Sequence, residues 1–374
     1  MGSGLMGTEQ RIDSLTGIRG LAALLVVYSH LAEYKFFPLS PLLPGEVGVM
    51  VFFTLSGFLM SFLYGEKDFN YGSVVHYGIS RFSRIAPAYL FIVVASYLIY
   101  NLVDGQFVYA ITHQNLLRHL MFSGNVSALW SIPPEVQFYG VFVGVWFALW
   151  AFRTQGNAAF LVMILVGVFA LMSYRSTLPG TFVGSKIHYF FTGVIFGLVR
   201  GRTTPGVGMA PLAVLQVAVL VAIGLVLAGV LHIDFGSKKH FYSSLETALF
   251  AGIVIFVFSF DTGLSKRLLG NRLIAMCGEC SFSMYLLNIP VIYVALKLLG
   301  QQPHTPGVAA ATTLAILALA WLMYRTIELP GSRLLRNLGT RLLLKPQPVV
   351  IAPVVEAPTS VIALEASPMG EPSK

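Results

Sequence analysis

Long apolar stretches recur along the whole chain and are separated by short polar segments. A helix that crosses a bilayer needs about 20 mostly apolar residues, and the intervening segments are too short for a soluble domain of about 100 residues. The pattern predicts an all-α integral membrane protein with about ten transmembrane helices, of which the sixth is short and the ninth contains polar residues. The predicted spans are 14–33, 45–64, 85–103, 135–152, 157–174, 187–200, 210–231, 241–260, 273–298 and 307–327.

The basic residues predict which loops face the cytoplasm. Cytoplasmic loops of membrane proteins are enriched in Lys and Arg. With a cytoplasmic N-terminus, 17 of the 24 Lys and Arg residues fall on the cytoplasmic side and the other 7 fall outside. Because an even number of spans returns the chain to its starting side, both termini are predicted to be cytoplasmic.

The composition agrees with a membrane protein. The 374 residues are 56% hydrophobic and 11% charged, whereas soluble domains carry about 25% charged residues. The membrane topology accounts for the net charge of +8, so no nucleic-acid partner is expected. We divide the chain into an N-terminal cytoplasmic tail (1–10), a membrane domain (11–335) and a basic, then Pro- and Ala-rich tail (336–374) that we expect to be disordered.

The first span carries two polar residues that are costly in a bilayer. Arg19 and His30 are eleven residues apart, so they project from the same helix face, roughly 16 Å apart along the axis. Arginine near a span end often reaches the lipid headgroups, and a lone histidine can be satisfied by water at the interface. On a shared face, however, an imidazole suits a general base and a guanidinium suits a phosphate or carboxylate.

Two further arginines precede the third predicted span. Arg81 and Arg84, in the stretch "YGISRFSRIAPAYL", are neighbours on one helical face, and Pro87 is expected just inside the next helix. The pair can serve as a positive-inside anchor. It can equally bind phosphates, because each guanidinium offers a planar fork of donors.

The stretch "ALWSIPPEVQFYGVF" predicts the start of the fourth span. Ser131 before two prolines is typical of a helix N-cap, and Glu135 one turn later is stabilised by the helix dipole. We also expect Glu135 at the same outer level of the membrane as His30. A carboxylate at that level can fix the tautomer of the imidazole.

The remaining ionisable groups and cysteines give weaker signals. Ionisable residues inside spans usually face a cavity. Cys277 and Cys280 form a single C-x-x-C without His or Cys partners, for which packing is expected. No metal site is predicted. The other ionisable residues at or within predicted spans are Glu46, Glu246, Glu279 and Glu328.

Six motifs, in chain order, resemble those of acyltransferase family three, a family of integral-membrane acyltransferases. The resemblance covers about residues 11–335. It implies transfer of an acyl group, most often acetyl from acetyl-CoA, to hydroxyls of surface or secreted glycans. The motifs are "LTGIRGLAALLVVYSH", "GVMVFFTLSGFLMS", "RFSRIAPAYL", "LWSIPPEVQFY", "CSFSMYLLNIPV" and "YRTIELP".

The resemblance also implies roles for individual residues. His30 occupies the position thought to be catalytic, and Arg19 is the arginine that accompanies it. Arg81 and Arg84 match the motif implicated in handling acyl-CoA on the cytoplasmic side. The Trp-Ser element and its acidic residue fall on Trp130, Ser131, Glu135, Gln137, Phe138 and Tyr139.

The chain departs from the family pattern at two places. Members commonly show two adjacent acidic residues where this chain has only Glu135. Members often end the "S-x-S-x-Y-L-x-H" element with histidine, whereas this chain has Asn288. His30 therefore carries more of the predicted chemistry, with Glu135 beside it. Supporting or acceptor-side roles are expected for Trp130, Ser131, Gln137, Tyr139 and Asn288.

These inferences predict an acyl-CoA-dependent O-acyltransferase in a bacterial inner membrane. The expected acceptor is a glycan such as an exopolysaccharide or lipopolysaccharide. Acetyl is the first choice of acyl group, and succinyl is the alternative. Both direct transfer and an acyl-enzyme intermediate are compatible with the sequence. A homo-oligomer in the lipid bilayer is also compatible with it. A transporter or exporter of a glycan or small metabolite, or a scaffold subunit, is the contrasting interpretation, and a transporter would leave acyl-CoA intact.

Overall fold

The computed structural model of the protein describes residues 12–203, 209–228, 230–231, 234–299 and 305–344. Within these ranges the regular elements are helical and no strand forms, which confirms the all-α class. Short 3₁₀ turns lie at Ser127–Ser131 and Val183–Lys186, and π turns lie at Ile99–Val103 and Tyr324–Glu328. The α-helices are α1 (Asp13–Glu33), α2 (Pro44–Tyr64), α3 (Tyr71–Leu98), α4 (His113–Leu120), α5 (Ile132–Gln155), α6 (Ala159–Tyr174), α7 (Ile187–Arg202), α8 (Met209–Leu227), α9 (Lys238–Ser243), α10 (Leu245–Phe258), α11 (Gly263–Leu268), α12 (Arg272–Glu279), α13 (Ser281–Leu299), α14 (Pro306–Met323) and α15 (Leu329–Leu343).

Several of these helices are long and apolar enough to cross a membrane. Seven such segments occur in the described part of the chain, and α6 and α10 are shorter apolar helices. The protein is therefore a multi-pass membrane protein. A count of ten spans and the cytoplasmic position of both termini stay predictions. The seven segments are Asp13–Glu33, Pro44–Tyr64, Tyr71–Val103, Ser127–Gln155, Ala210–Leu227, Ser281–Leu299 and Pro306–Leu343.

Polar residues and prolines define many of the helix starts. Asn70 accepts a hydrogen bond from the backbone N–H of Ser73 at 2.9 Å at the start of α3, and Asn271 caps α12 in the same way. Prolines occupy the first turns of α2, α5 and α14, where the missing N–H costs no hydrogen bond.

The third predicted span is too short at its first end. The helix begins at Tyr71 and not at residue 85, so Arg81 and Arg84 lie inside α3 and Pro87 lies in its middle. Polar residues lower the hydropathy of this first half, but packing against α15 holds it helical. A Cβ on Gly331 of α15 would meet the ring of Pro87, so this glycine allows the two helices to approach closely.

The last two predicted spans also differ in detail. The ninth is divided at Cys280, where α12 ends and α13 begins. The tenth continues beyond residue 327 through the π turn into α15. The proposed domain boundary at residue 335 falls within α15, and both predicted tails extend outside the described residues at 1–11 and 345–374.

Close packing of α2 against α7 depends on glycine. A Cβ on Gly193 would collide with the carbonyl oxygen of Thr54, and one on Gly57 would collide with that of Phe190. These contacts are with backbone atoms, which cannot turn away as a flexible side chain can. Small residues at such crossings let membrane helices approach closely. The cavities described below lie on the other side of α2, against α1 and α13.

The two cysteines are buried packing residues. Cys277 and Cys280 are free thiols in an apolar cluster formed mainly by α1, α13 and α14. A Cβ on Gly20 of α1 would lie 3.1 Å from the Cys277 side chain, so α1 passes directly over α12 here.

Candidate active site

A cavity of about 560 Å³ lies among α1, α2, α3, α5, α13 and α15. We call it the arginine cavity. Three of the predicted site arginines, Arg19, Arg81 and Arg84, line it together, although they come from two different helices. The charged residues of its lining are Arg19, Arg81, Arg84, Arg336, Glu135, Glu279 and Glu328.

Hydrogen bonds hold the charged groups of the arginine cavity in place. Arg19 donates from Nη2 to the Ser281 hydroxyl at 3.0 Å. The Ser283 hydroxyl donates to the Glu328 carboxylate at 2.5 Å. Both serines belong to the first turn of α13, so that helix start orients one cation and one anion at the cavity wall.

Glu135 lies in this cavity and is not paired with His30. Its Oε1 accepts hydrogen bonds from Ser56 at 2.6 Å and Tyr139 at 2.9 Å. Ser56 is twelve residues into α2, about 18 Å along the helix axis from Pro44. The start of α5 is therefore deep in the helical bundle, and the expected level shared with His30 is not what the structure has.

A second cavity, of about 310 Å³, contains His30. We call it the histidine cavity. It lies between the last turns of α1, the first turns of α2, α9 and the 3₁₀ turn before α5. Its lining is Val26, Ser29, His30, Glu33, Gly45, Glu46, Val49, Ser127, Ala128, Trp130, Lys238, Tyr242, Tyr285 and Ile289.

The imidazole of His30 is oriented by Asn288. The two side chains are joined between His30 Nδ1 and Asn288 Oδ1 at 2.5 Å, and Asn288 is fully buried. The Asn288 amide nitrogen donates to the carbonyls of Met284 and Tyr285 at 3.1 and 2.7 Å. Because these two bonds fix the amide, Oδ1 must accept from the ring, which puts the proton on Nδ1 and leaves the Nε2 lone pair available.

An ion-pair bridge lies at the rim of the histidine cavity. Lys238 of α9 pairs with Glu33 at 2.7 Å and with Glu46 at 2.8 Å. Partial burial of the ammonium is outweighed by these hydrogen bonds, which raise the pKa of Lys238 above its ordinary value. Glu46 is only 6% exposed, so the lysine neutralises a carboxylate that has little contact with solvent.

The other predicted site residues are divided between the cavities. Trp130 lies in the histidine cavity, where its ring meets that of Tyr242 edge to face at 5.6 Å. Ser131 and Tyr139 line the arginine cavity. Gln137 joins neither lining and instead ties α5 to a turn, accepting from the N–H of Val183 at 2.8 Å.

Sequence reasoning missed several residues of these sites. Ser131 does not cap α5 with its side chain; its hydroxyl donates to the hydroxyl of Tyr285 at 2.7 Å. The motif "CSFSMYLLNIPV" contains three of the missed residues, Ser281, Ser283 and Tyr285. Their membership of this motif is the sequence feature from which they could have been predicted as site residues. Glu246 is exposed and joins neither cavity lining.

A family model described as an acyltransferase domain matches residues 12–325. The chain belongs to acyltransferase family three. The matched region contains the whole lining of the histidine cavity and all of the arginine cavity's lining except Glu328 and the residues on α15. The motif resemblance found in the sequence is thereby confirmed.

Two curated relatives align with most of this acyltransferase. The acyltransferase MdmB of Streptomyces mycarofaciens is 26% identical, with 92% of this chain and 95% of MdmB aligned. The peptidoglycan O-acetyltransferase OatA of Listeria monocytogenes is 25% identical over 86% of this chain, which spans about half of OatA (56%). Protein 2 in the picA locus of Rhizobium radiobacter is 39% identical over only 22% of this chain. No solved structure matches.

The matches support a membrane O-acyltransferase and do not favour the exporter alternative. They agree with an acyl donor and a hydroxyl-bearing acceptor.

Proposed function

We propose that this acyltransferase moves an acyl group, acetyl in the first place, from acyl-CoA to a hydroxyl of a glycan at the outer side of a bacterial inner membrane. The observation that carries the proposal is the pair of cavities along α1. One holds Arg19, Arg81, Arg84 and Arg336 near the Asp13 end, and the other holds an oriented histidine near the Glu33 end. This arrangement suits a reaction whose two substrates arrive from opposite sides.

The arginine cavity is suited to the donor. Coenzyme A carries several phosphate charges, and guanidinium groups bind phosphates through paired hydrogen bonds. We assign Arg81 and Arg84 to these phosphates. Arg19, held by Ser281, lies further along the path that the pantetheine arm follows toward His30.

His30 serves as the general base. Its Nε2 takes the proton from the acceptor hydroxyl as that oxygen attacks the thioester carbonyl. The new ester bond forms, the carbon–sulfur bond breaks, and the proton passes from the imidazolium to the departing thiolate. Asn288 keeps Nε2 in the basic form and acts as a positioning residue, a role that an acidic partner fills in other histidine bases.

Glu135 has a different role from the one expected. Ser56 and Tyr139 hold its carboxylate in the same cavity lining as the arginines, where it acts as a counter-charge. The positive charges of the arginines that line this cavity repel one another strongly at the low dielectric of a membrane interior. Glu135 therefore stabilises the cluster and positions the phenol of Tyr139 beside it.

The histidine cavity is suited to a polyhydroxylated acceptor. The carboxylates of Glu33 and Glu46 can accept hydrogen bonds from hydroxyls, and the rings of Trp130 and Tyr242 offer flat apolar faces. A glycan acceptor is also supported by the relative named as a peptidoglycan O-acetyltransferase.

Release of free CoA tests the reaction class. The protein in detergent is incubated with acetyl-CoA or succinyl-CoA, with and without a panel of glycans, and free thiol is measured. We expect acceptor-dependent thiol release and an acylated glycan. If the protein binds a glycan but leaves every acyl-CoA donor intact, the result contradicts acyl transfer and favours the exporter or scaffold interpretation.

A further inference from the structure

Two described residues, Val49 and Tyr285, belong to the linings of both the arginine cavity and the histidine cavity. The two spaces therefore meet at these side chains. Both residues are 6% exposed, so they are packed within the bundle where the cavities approach each other. We call this pair the partition.

Tyr285 lies between the levels of the two predicted reactive ends. Along α13, Ser281 contacts Arg19 and Asn288 contacts His30. Tyr285 is four residues after Ser281 and three before Asn288, or about 6 and 4.5 Å of helix rise. A group that travels from the arginines to the imidazole has to pass this ring.

Hydrogen bonds of its hydroxyl group hold the Tyr285 ring in place where the two cavities meet. Its hydroxyl donates to the carbonyl of Ala128 at 2.7 Å and accepts from Ser131 at 2.7 Å. Ala128 lines the histidine cavity and Ser131 lines the arginine cavity. The ring also meets Phe52 edge to face at 6.4 Å, so it is fixed from α13, from α2 and from the turn before α5.

We propose that Tyr285, with Val49 opposite, is the specificity-determining residue that limits the size of the acyl group transferred. The inference rests on the proposed function, because the acyl group leads the pantetheine arm from one cavity into the other. Because the unbranched pantetheine chain follows through the same gap, a fixed ring limits the width of the acyl group: it passes an unbranched group and rejects a branched one. One methylene in an apolar pocket typically changes specificity by about 10-fold or more.

The test compares acetyl-, butyryl-, isobutyryl- and pivaloyl-CoA as donors for wild type, Tyr285→Leu and Tyr285→Ala, with acyl transfer to the glycan as the readout. We expect the ratio of kcat/KM for isobutyryl-CoA to that for acetyl-CoA to rise at least about tenfold in both variants. Tyr285→Phe keeps the ring but loses both hydrogen bonds of the hydroxyl, so its ratio should lie between those of wild type and Tyr285→Leu. Tyr109→Phe is the matched control, since that buried tyrosine bonds to the carbonyl of Leu286 on α13 but lies outside both linings.

Val49 tests the partition from its other wall. Val49→Ala should shift the donor profile toward branched acyl groups, and Val49→Phe should suppress isobutyryl and pivaloyl transfer more than acetyl transfer. Size-exclusion chromatography shows whether each variant is folded. If Tyr285→Leu and Tyr285→Ala do not fold, the Val49 variants still test the proposal. Unchanged donor profiles in folded variants of both residues contradict the partition while leaving the proposed function intact. Absence of transfer by the wild type from every donor contradicts the proposed function and this inference together.

Discussion

Replacing Asn288 with leucine should impair catalysis through His30 without touching either substrate directly. The substitution removes the acceptor for the Nδ1 proton, so the imidazole is free to rotate and to place its proton on Nε2. For metal-bound histidines, loss of the hydrogen-bonded partner that orients the ring typically costs about 10- to 100-fold in activity, and we expect the same range for a histidine base. We expect kcat to fall by that factor, with the KM for the acyl donor within about threefold of wild type.

A matched variant separates this effect from a loss of stability. Gln216 is another fully buried amide that donates to two backbone carbonyls, at 3.1 and 3.0 Å, and accepts from one side chain, that of Thr262. It lies outside both cavities. Each variant loses three buried hydrogen bonds at about 1 kcal/mol each, so Asn288→Leu and Gln216→Leu should lose roughly 3 kcal/mol of stability alike.

The assay measures thiol release against donor concentration in purified, monodisperse protein, together with the thermal unfolding midpoint. A third variant, Asn288→His, places a second ring beside His30 and should retain more activity than Asn288→Leu because it can still accept the proton. Equal kcat in Asn288→Leu and Gln216→Leu would refute the positioning role. A kcat of Asn288→Leu within threefold of wild type would refute it as well.

Three further predictions concern the donor, the cavity rim and helix packing. Arg81→Ala should raise the KM for acyl-CoA by about 10- to 100-fold, the worth of a charged hydrogen bond, and leave the acceptor KM unchanged; Arg341→Ala, exposed on α15, is the control, and a larger effect on the acceptor would contradict the assignment. Lys238→Met should raise the acceptor KM several-fold and leave the donor KM unaltered, whereas Lys239→Met should match wild type. Equal acceptor KM values for the two variants would contradict a role of the Lys238 ion pairs in acceptor binding. Gly193→Val should destabilise the fold by at least about 1–3 kcal/mol through overpacking, and an unchanged unfolding midpoint would contradict the close α2–α7 contact.

Periodicity predicted the alignment of Arg19 and His30 because both side chains belong to one helix. The eleven-residue spacing fixes their common face, and the structure has both in contact with α13. The grouping of Arg81 with Arg84 was predictable for the same reason. Hydropathy located most of the long helices, but it could not find the polar first half of α3.

Contacts between distant helices could not be predicted in the same way. The partner of His30 is 258 residues away in the chain, and the spacing of residues within one helix carries no information about it. Glu135 was expected beside His30 because α5 was taken to begin at the membrane surface. The chain instead reaches Ser131 deep in the bundle before α5 begins, so the carboxylate bonds to Ser56 and Tyr139 and shares a cavity lining with the arginines.

The most direct test of the account is acyl transfer by His30→Ala. Labelled acetyl-CoA is supplied to wild type and to the variant with a productive glycan, and label in the glycan is counted after both proteins are shown to be monodisperse and to bind CoA equally. General-base catalysis contributes about 10²- to 10⁴-fold, so the variant should transfer at no more than about one hundredth of the wild-type rate. A variant that transfers at a rate near that of wild type would contradict the central role of His30.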